Sequence, residues 1–192
     1  MPTSSIRFAS LVLGACLAAA VSAPAFAMGG GGSSSGGGSS GGNSSSSDNM
    51  PTCRKGEVYD QKSKKCVKQH GANITEENRT DYAYALAKDH RYQEALDMLD
   101  TLKNPNTPEA LNYRGYATRK LARTDEGISY YLKSVDLDPK YARVREYLGE
   151  AYVIKGRIDL AREQLTTIKS LCGTGCEEYR DLNEAIENPS KI

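Results

Sequence analysis

Cysteine is the residue type in this chain whose spacing comes nearest to chemistry. Cys53 and Cys66 bound a short basic segment, and Cys172 and Cys176 frame Gly-Thr-Gly. Zinc sites usually pair cysteines about two to four residues apart, and only the second pair comes near that, with no partner pair. Redox dithiols usually read Cys-x-x-Cys, which neither pair does. In an oxidising compartment an even set of cysteines defaults to disulfides. These four allow three pairings. The favoured one is local, Cys53–Cys66 and Cys172–Cys176, with metal binding and thiol redox work by Cys172 and Cys176 kept as alternatives. The histidines, His70 and His90, have no nucleophile or carboxylate arranged around them, and no Gly-rich phosphate loop occurs. The expectation is a protein that is not an enzyme and uses no cofactor or metal.

The compartment is read from the N-terminus. Arg7 precedes an Ala/Leu-rich run from Phe8 to Val21, and Ala25-Phe26-Ala27 offers small residues where a signal peptidase reads them. Residues 1–27 therefore read as a signal peptide cleaved after Ala27. The apolar run is shorter than the ~20 residues that span a bilayer. A loose lipobox, Leu13-Gly14-Ala15-Cys16, supplies an alternative in which lipid at Cys16 tethers the chain to the cell envelope. The short Ala-rich signal resembles those of Gram-negative bacteria, so the expected destination is the periplasm. Residues 28–50, almost all Gly and Ser, read as a flexible linker with nothing apolar to bury.

Residues 51–70 follow the form C-x2-G-x-V-Y-D-x5-C, which resembles small Cys-bounded hairpins of secreted proteins. Val58, Tyr59 and Val67 supply strand residues, and the run from Asp60 to Lys65 supplies the turn. A disulfide closing a loop of this length is worth about 3 kcal/mol in the chain-entropy model. Lys62, Lys64 and Lys65 make the segment basic, so the 53–68 hairpin is a candidate contact for an anionic envelope surface. The whole chain has a net charge of only +1, which together with export argues against nucleic acid as a partner.

From residue 75 onward the pattern is helical. Thr75 and Thr107 are cap residues, and Pro108 and Glu109 suit a first turn. The first repeat's second helix reads as Tyr92 to Lys103. Thr124 with Asp125 and Glu126 reads as the start of another helix, with Ile128, Tyr131, Leu132 and Val135 as its apolar stripe. Small residues recur in pairs, at Ala83 and Ala95, Gly115 and Gly127, and Gly149 and Ala161, each pair 12 apart. Steps of 32 and 34 residues separate the pairs. Gly115 and Gly127 mark where two helix backbones approach closely. Glu177 to Glu187 forms one more amphipathic helix, with Tyr179, Leu182, Ala185 and Ile186 on one face.

This period resembles the tetratricopeptide repeat (TPR) family. Leu148-Gly149, Tyr152, Gly156, Ala161 and Leu165 follow its pattern best. Gly115, Tyr131 and Pro139 follow it in the second copy, and Tyr82-Ala83, Leu86, Ala95 and Leu99 in the first. Arg79, Leu111 and Arg145 stand where the family has tryptophan. The implied fold is all-α: a solenoid of three helix pairs (75–107, 108–141 and 142–175) and a capping helix (176–188). The resemblance also implies that the first helix of each pair lines a concave face. The candidate partner-binding residues are then Tyr84, Lys88, Asn112, Tyr116, Arg119, Lys120, Arg143, Glu146 and Glu150. Thr80 and Tyr84 replace residues needed by the carboxylate clamp of chaperone-binding members. Capture of a free C-terminus is therefore not expected, and an unspecified protein or extended peptide is.

Overall fold

The computed structural model describes residues 49–70 and 73–192. The signal peptide, Cys16 and the Gly/Ser run up to residue 48 lie outside the described residues. The first elements are a hairpin, β1 (Glu57–Asp60) and β2 (Lys65–Lys68), paired antiparallel with Val58 opposite Val67. Three helix pairs follow: α1 (Glu76–Lys88) with α2 (Tyr92–Leu99), α3 (Pro108–Lys120) with α4 (Thr124–Leu137), and α5 (Ala142–Ile154) with α6 (Ile158–Cys172). A last helix, α7 (Glu177–Glu187), packs on both α5 and α6. Among the described residues no helix is long and apolar enough to cross a membrane.

Local chemistry starts α1 and α3 as expected. The Thr75 hydroxyl accepts from the Asn78 N–H at 3.1 Å, and Thr107 accepts from Ala110 at 3.2 Å, with Pro108 at the first helical position. The even helices start differently. Thr124 does not cap α4. Arg123 occupies the cap position without a side-chain bond to the backbone, and its guanidinium instead grips Glu126 at 2.6 Å. The α4 stripe also departs from expectation. Leu132 is 47% exposed, while Ser134 is buried because its hydroxyl donates to the Pro108 carbonyl at 2.7 Å. In the first repeat α2 stops at Leu99, short of Lys103. The Glu76 carboxylate takes the Lys103 N–H at 2.6 Å, and the Thr101 hydroxyl bonds the Met98 carbonyl at 2.7 Å, so the chain turns there. Leu102 remains buried all the same.

All three turns within the helix pairs use one device. His90, Ala122 and Gly156 have φ of 60°, 63° and 70°. In each, that residue's N–H and the next one's bond back to carbonyls of the preceding helix, as in Ala122 to Arg119 at 2.9 Å and Arg123 to Thr118 at 3.2 Å. This is the Schellman arrangement, in which glycine is the usual left-handed residue. Behind the second turn, α3 and α4 meet closely. A Cβ on Gly127 would lie 2.9 Å from the Gly115 carbonyl oxygen, and one on Gly115 would meet the Tyr131 ring at 2.6 Å.

The hairpin docks on the first repeat and seals its open side. Val58 is fully buried, the Cys53 N–H donates to the Tyr82 hydroxyl at 2.8 Å, and Arg91 donates to the Cys53 carbonyl at 2.6 Å. Asn78 donates to the Tyr59 carbonyl at 3.1 Å. Cys53 and Cys66 are bonded, which holds the segment in the shape that docks. Met50, at the edge of the segment read as a linker, is packed into the same core. The basic tip, with Lys62, Lys64 and Lys65, stays exposed.

The left-handed turn at Ala122 yields a prediction. Ala122→Gly removes the steric penalty of a Cβ there and should stabilise the fold by about 1 kcal/mol. Urea unfolding measures it, and an unchanged or lower midpoint contradicts the account.

Candidate functional site

The first helices α1, α3 and α5 and the N-terminal half of α7 enclose a cavity of about 330 Å³. Its floor is aromatic. Tyr84 on α1 and Tyr116 on α3 occupy the same place in successive repeats, and Tyr147 on α5 completes the set. Ring centroids are 6.2 Å apart for Tyr84 and Tyr116 and 5.1 Å apart for Tyr116 and Tyr147. The Tyr84 and Tyr147 hydroxyls are 3.0 Å apart. Burial pushes the Tyr116 and Tyr147 hydroxyls above the usual tyrosine range, so these two rings are neutral surfaces.

Cations ride on this floor. The Lys88 Nζ lies 5.9 Å from the Tyr84 centroid, Lys120 Nζ 5.7 Å from Tyr116, and the Arg143 guanidinium 5.7 Å from Tyr84. Burial and the neighbouring Arg119 charge lower the Lys120 pKa. Arg119 itself lies under the floor, only 4% exposed. It donates to Glu150 at 2.5 Å and to the Tyr131 hydroxyl at 3.3 Å. Burial alone would weaken its hold on the proton. Tyr131 and Glu150 outweigh that and keep the guanidinium charged.

Carboxylates gather at the opposite wall, where Glu146 and Glu150 of α5 face Glu177, Glu178 and Asp181 of α7. Glu146 is 6% exposed. Among the described residues no hydrogen bond or ion pair reaches its carboxylate. Burial first, then Glu150, Asp181 and Glu178, raise its pKa well above 4.5. Asp181 is raised as well, by burial and then by Glu177. The position of Glu146 recurs as Thr80 and Asn112 in the earlier repeats, and all three are buried. Thr80 donates to the Glu76 carbonyl at 2.9 Å, and Asn112 donates to the Tyr141 hydroxyl at 3.0 Å.

Of the residues expected to meet a partner, the cavity brings together Tyr84, Lys88, Tyr116, Lys120, Arg143, Glu146 and Glu150. Asn112 and Arg119 are not among them. Asn112 is fully buried and Arg119 nearly so, and each serves contacts between repeats rather than the opening. Tyr147, Glu177, Glu178 and Asp181 were not anticipated. Tyr147 lies one helical turn beyond Arg143, a spacing that places both on one face. In sequence the α7 acids read only as the polar face opposite Tyr179, Leu182, Ala185 and Ile186. They reach the cavity because Leu182 seats against Gly149, where an added Cβ would meet it at 2.5 Å.

Cys172 and Cys176 are joined, with Cα atoms 6.0 Å apart, across the turn from α6 into α7. A Glu178 oxygen and the two sulfurs lie within 4.8 Å of one another. In the bonded state these sulfurs offer no thiolate to a metal.

No family model matches the chain, and no curated protein matches it in sequence. The fold is similar to that of a solved structure, the type III secretion translocator chaperone SycD from Yersinia enterocolitica, at a TM-score of 0.50 and 17% identity. The likeness covers 61% of this chain and 88% of that one. At that identity it concerns the path of the helices and nothing finer. It shows an all-helical fold in common with that structure.

Glu146 sets a dependence of stability on pH. Its carboxyl is harder to ionise folded than unfolded. Below about 4.5 it is neutral in both states, and as the pH climbs through the raised folded value the fold must accept a buried charge and loses stability. Glu146→Gln should therefore raise the thermal midpoint near neutral pH, with the gain vanishing as the pH falls toward 4.5. Melts across that range test it, and a variant less stable than the parent at neutral pH would refute it.

Proposed function

We propose that this chain is a TPR-type, non-enzymatic scaffold of the periplasm that holds a protein or an extended peptide against its inner face. One observation carries the reading. The first helices of all three repeats and the last helix converge on a single cavity with a tyrosine floor and charges of both signs on its walls. Tyrosine offers large contact area at small entropic cost, and such rings recur where partners bind most strongly. The similar translocator chaperone supports a protein as the class of ligand, at the level of fold. The walls, made of charged side chains rather than a converging nucleophile, acid and base, suit recognition more than turnover. The docked hairpin keeps its lysines outward, away from the cavity, where they are available to an anionic surface without competing for the partner.

Export is part of this reading and has its own test. The mass of the mature protein purified from the periplasmic fraction should correspond to a chain starting at Met28. A mass carrying acyl groups on Cys16 would replace the free scaffold with an envelope tether.

The groove is tested at exposed lysines, since Tyr116 and Arg119 are packed and their loss would disturb the fold. Lys88→Glu with Lys120→Glu should leave the melt within a degree or two of the parent, because surface changes are nearly neutral in stability. The double variant should lose most of the protein recovered by the parent from envelope extract. Equal recovery by parent and variant would refute a partner held at this face.

A further inference from the structure

The inner-face reading leaves the chemistry of the partner open, and Glu146 narrows it. Equivalent positions in the first two repeats are buried and polar, and both are neutral and bonded within the protein: Thr80 to the Glu76 carbonyl and Asn112 to the Tyr141 hydroxyl. Only the third repeat places a carboxylate there. It is 6% exposed, lines the cavity, and has no bonded partner among the described residues. The surroundings make the choice stranger as a packing solution. Glu178 and Asp181 of α7 close over the same wall, adding like charge where a lone buried carboxylate is already costly. Glutamine would fill the same volume without that cost. Arg143, one turn earlier on α5, sits over the Tyr84 ring at 5.7 Å. Glu150 is already engaged by Arg119 at 2.5 Å. Arg143 offsets part of the charge on Glu146, but among the described residues no cation forms an ion pair with its carboxylate.

We propose, resting on the reading of the inner face as a partner site, that Glu146 with Glu178 and Asp181 is the seat for one arginine or lysine side chain of a protein partner. The charged head enters at the α5–α7 wall and pairs with Glu146. Its aliphatic stem lies along the tyrosine floor, beside Tyr147. Lys88 and Lys120 at the far wall repel the same head and so fix its direction of entry. They also favour a partner whose basic residue is followed by an acidic or neutral stretch. A buried carboxylate kept at a cost to stability is the mark of a group retained for binding.

The test uses the full mature chain and a fluorescein-labelled twelve-residue Gly/Ser peptide with a single central arginine. Companion peptides carry citrulline, which is isosteric and uncharged, or glutamate at that place. Anisotropy titrations should show the arginine peptide binding about tenfold or more tightly than the citrulline one, the scale of a charge-assisted hydrogen bond. The advantage should shrink with added salt. Glu146→Gln should abolish the preference while melting no lower than the parent, which separates lost binding from lost folding. Asp181→Asn should weaken it in part, and Glu163→Gln, an exposed acid on α6, should leave it unchanged. Equal affinity for arginine and citrulline peptides, preference for glutamate, no binding of the arginine peptide, or an intact preference in Glu146→Gln would each overturn the proposal. Should recovery from extract still depend on Lys88 and Lys120 in that event, the inner-face site stands and only the cation seat falls. Loss of both fails the two together.

Discussion

Everything in the middle of this molecule hangs on one buried cation. Arg119 leaves the C-terminal turn of α3, passes under the tyrosine floor, and meets Tyr131 of α4 and Glu150 of α5. Those bonds tie a helix pair internally and tie it to the next pair. A guanidinium suits the task because it stays charged and offers donors in a fixed planar fork. Nothing apolar of that length could satisfy the Tyr131 hydroxyl and the Glu150 carboxylate at once. Breaking such an arrangement by removing one partner strands the others, which costs more than the pair gains over a well-packed apolar set. The Glu150 contact holds one inward position of α5 against the end of α3.

That contact accompanies a division of labour among the repeats. The place held by Tyr84 and Tyr116 holds Glu150 in the third repeat, where Arg119 needs an anion. Tyr147, three residues earlier on α5, then supplies the aromatic surface. The inner face is thus not three copies of one pattern. It changes from tyrosine and lysine on α1 and α3 to carboxylates on α5 and α7, and the α7 helix takes the position a fourth repeat would occupy.

Much of this architecture is legible in sequence because it rests on spacing. Gly115 and Gly127 announce a close helix crossing, and an added Cβ at Gly127 would indeed press on the Gly115 carbonyl. The two local cysteine pairs and the helix caps at Thr75 and Thr107 are legible for the same reason: their partners are near in the chain. Contacts between distant segments are not. Glu76 ending α2 early, Ser134 displacing Leu132 from the core, and Val58 burying against the first repeat depend on how elements meet. The same limit applies at the site. Asn112 and Arg119 lie on the first helix of their repeat, as inward residues should. Whether such a side chain reaches the opening or is covered by the next repeat is decided by partners about thirty residues away, Tyr141 and Glu150. The place of the α7 acids is not legible in sequence because it depends on Leu182 meeting the surface of Gly149.

The docked hairpin changes what kind of array this is. Stacked helix pairs ordinarily end in a bare face on which another pair could sit, so their number is set by where the gene stops. Here the first pair is sealed by strands held through Cys53 and Cys66, and the third by a helix leaving the turn at Cys172 and Cys176. Both terminal faces are closed by covalently braced lids of different construction. Among the described residues the array is accordingly a gauge of fixed span, and a partner of the proposed inner face longer than that span would leave through the open side of the groove.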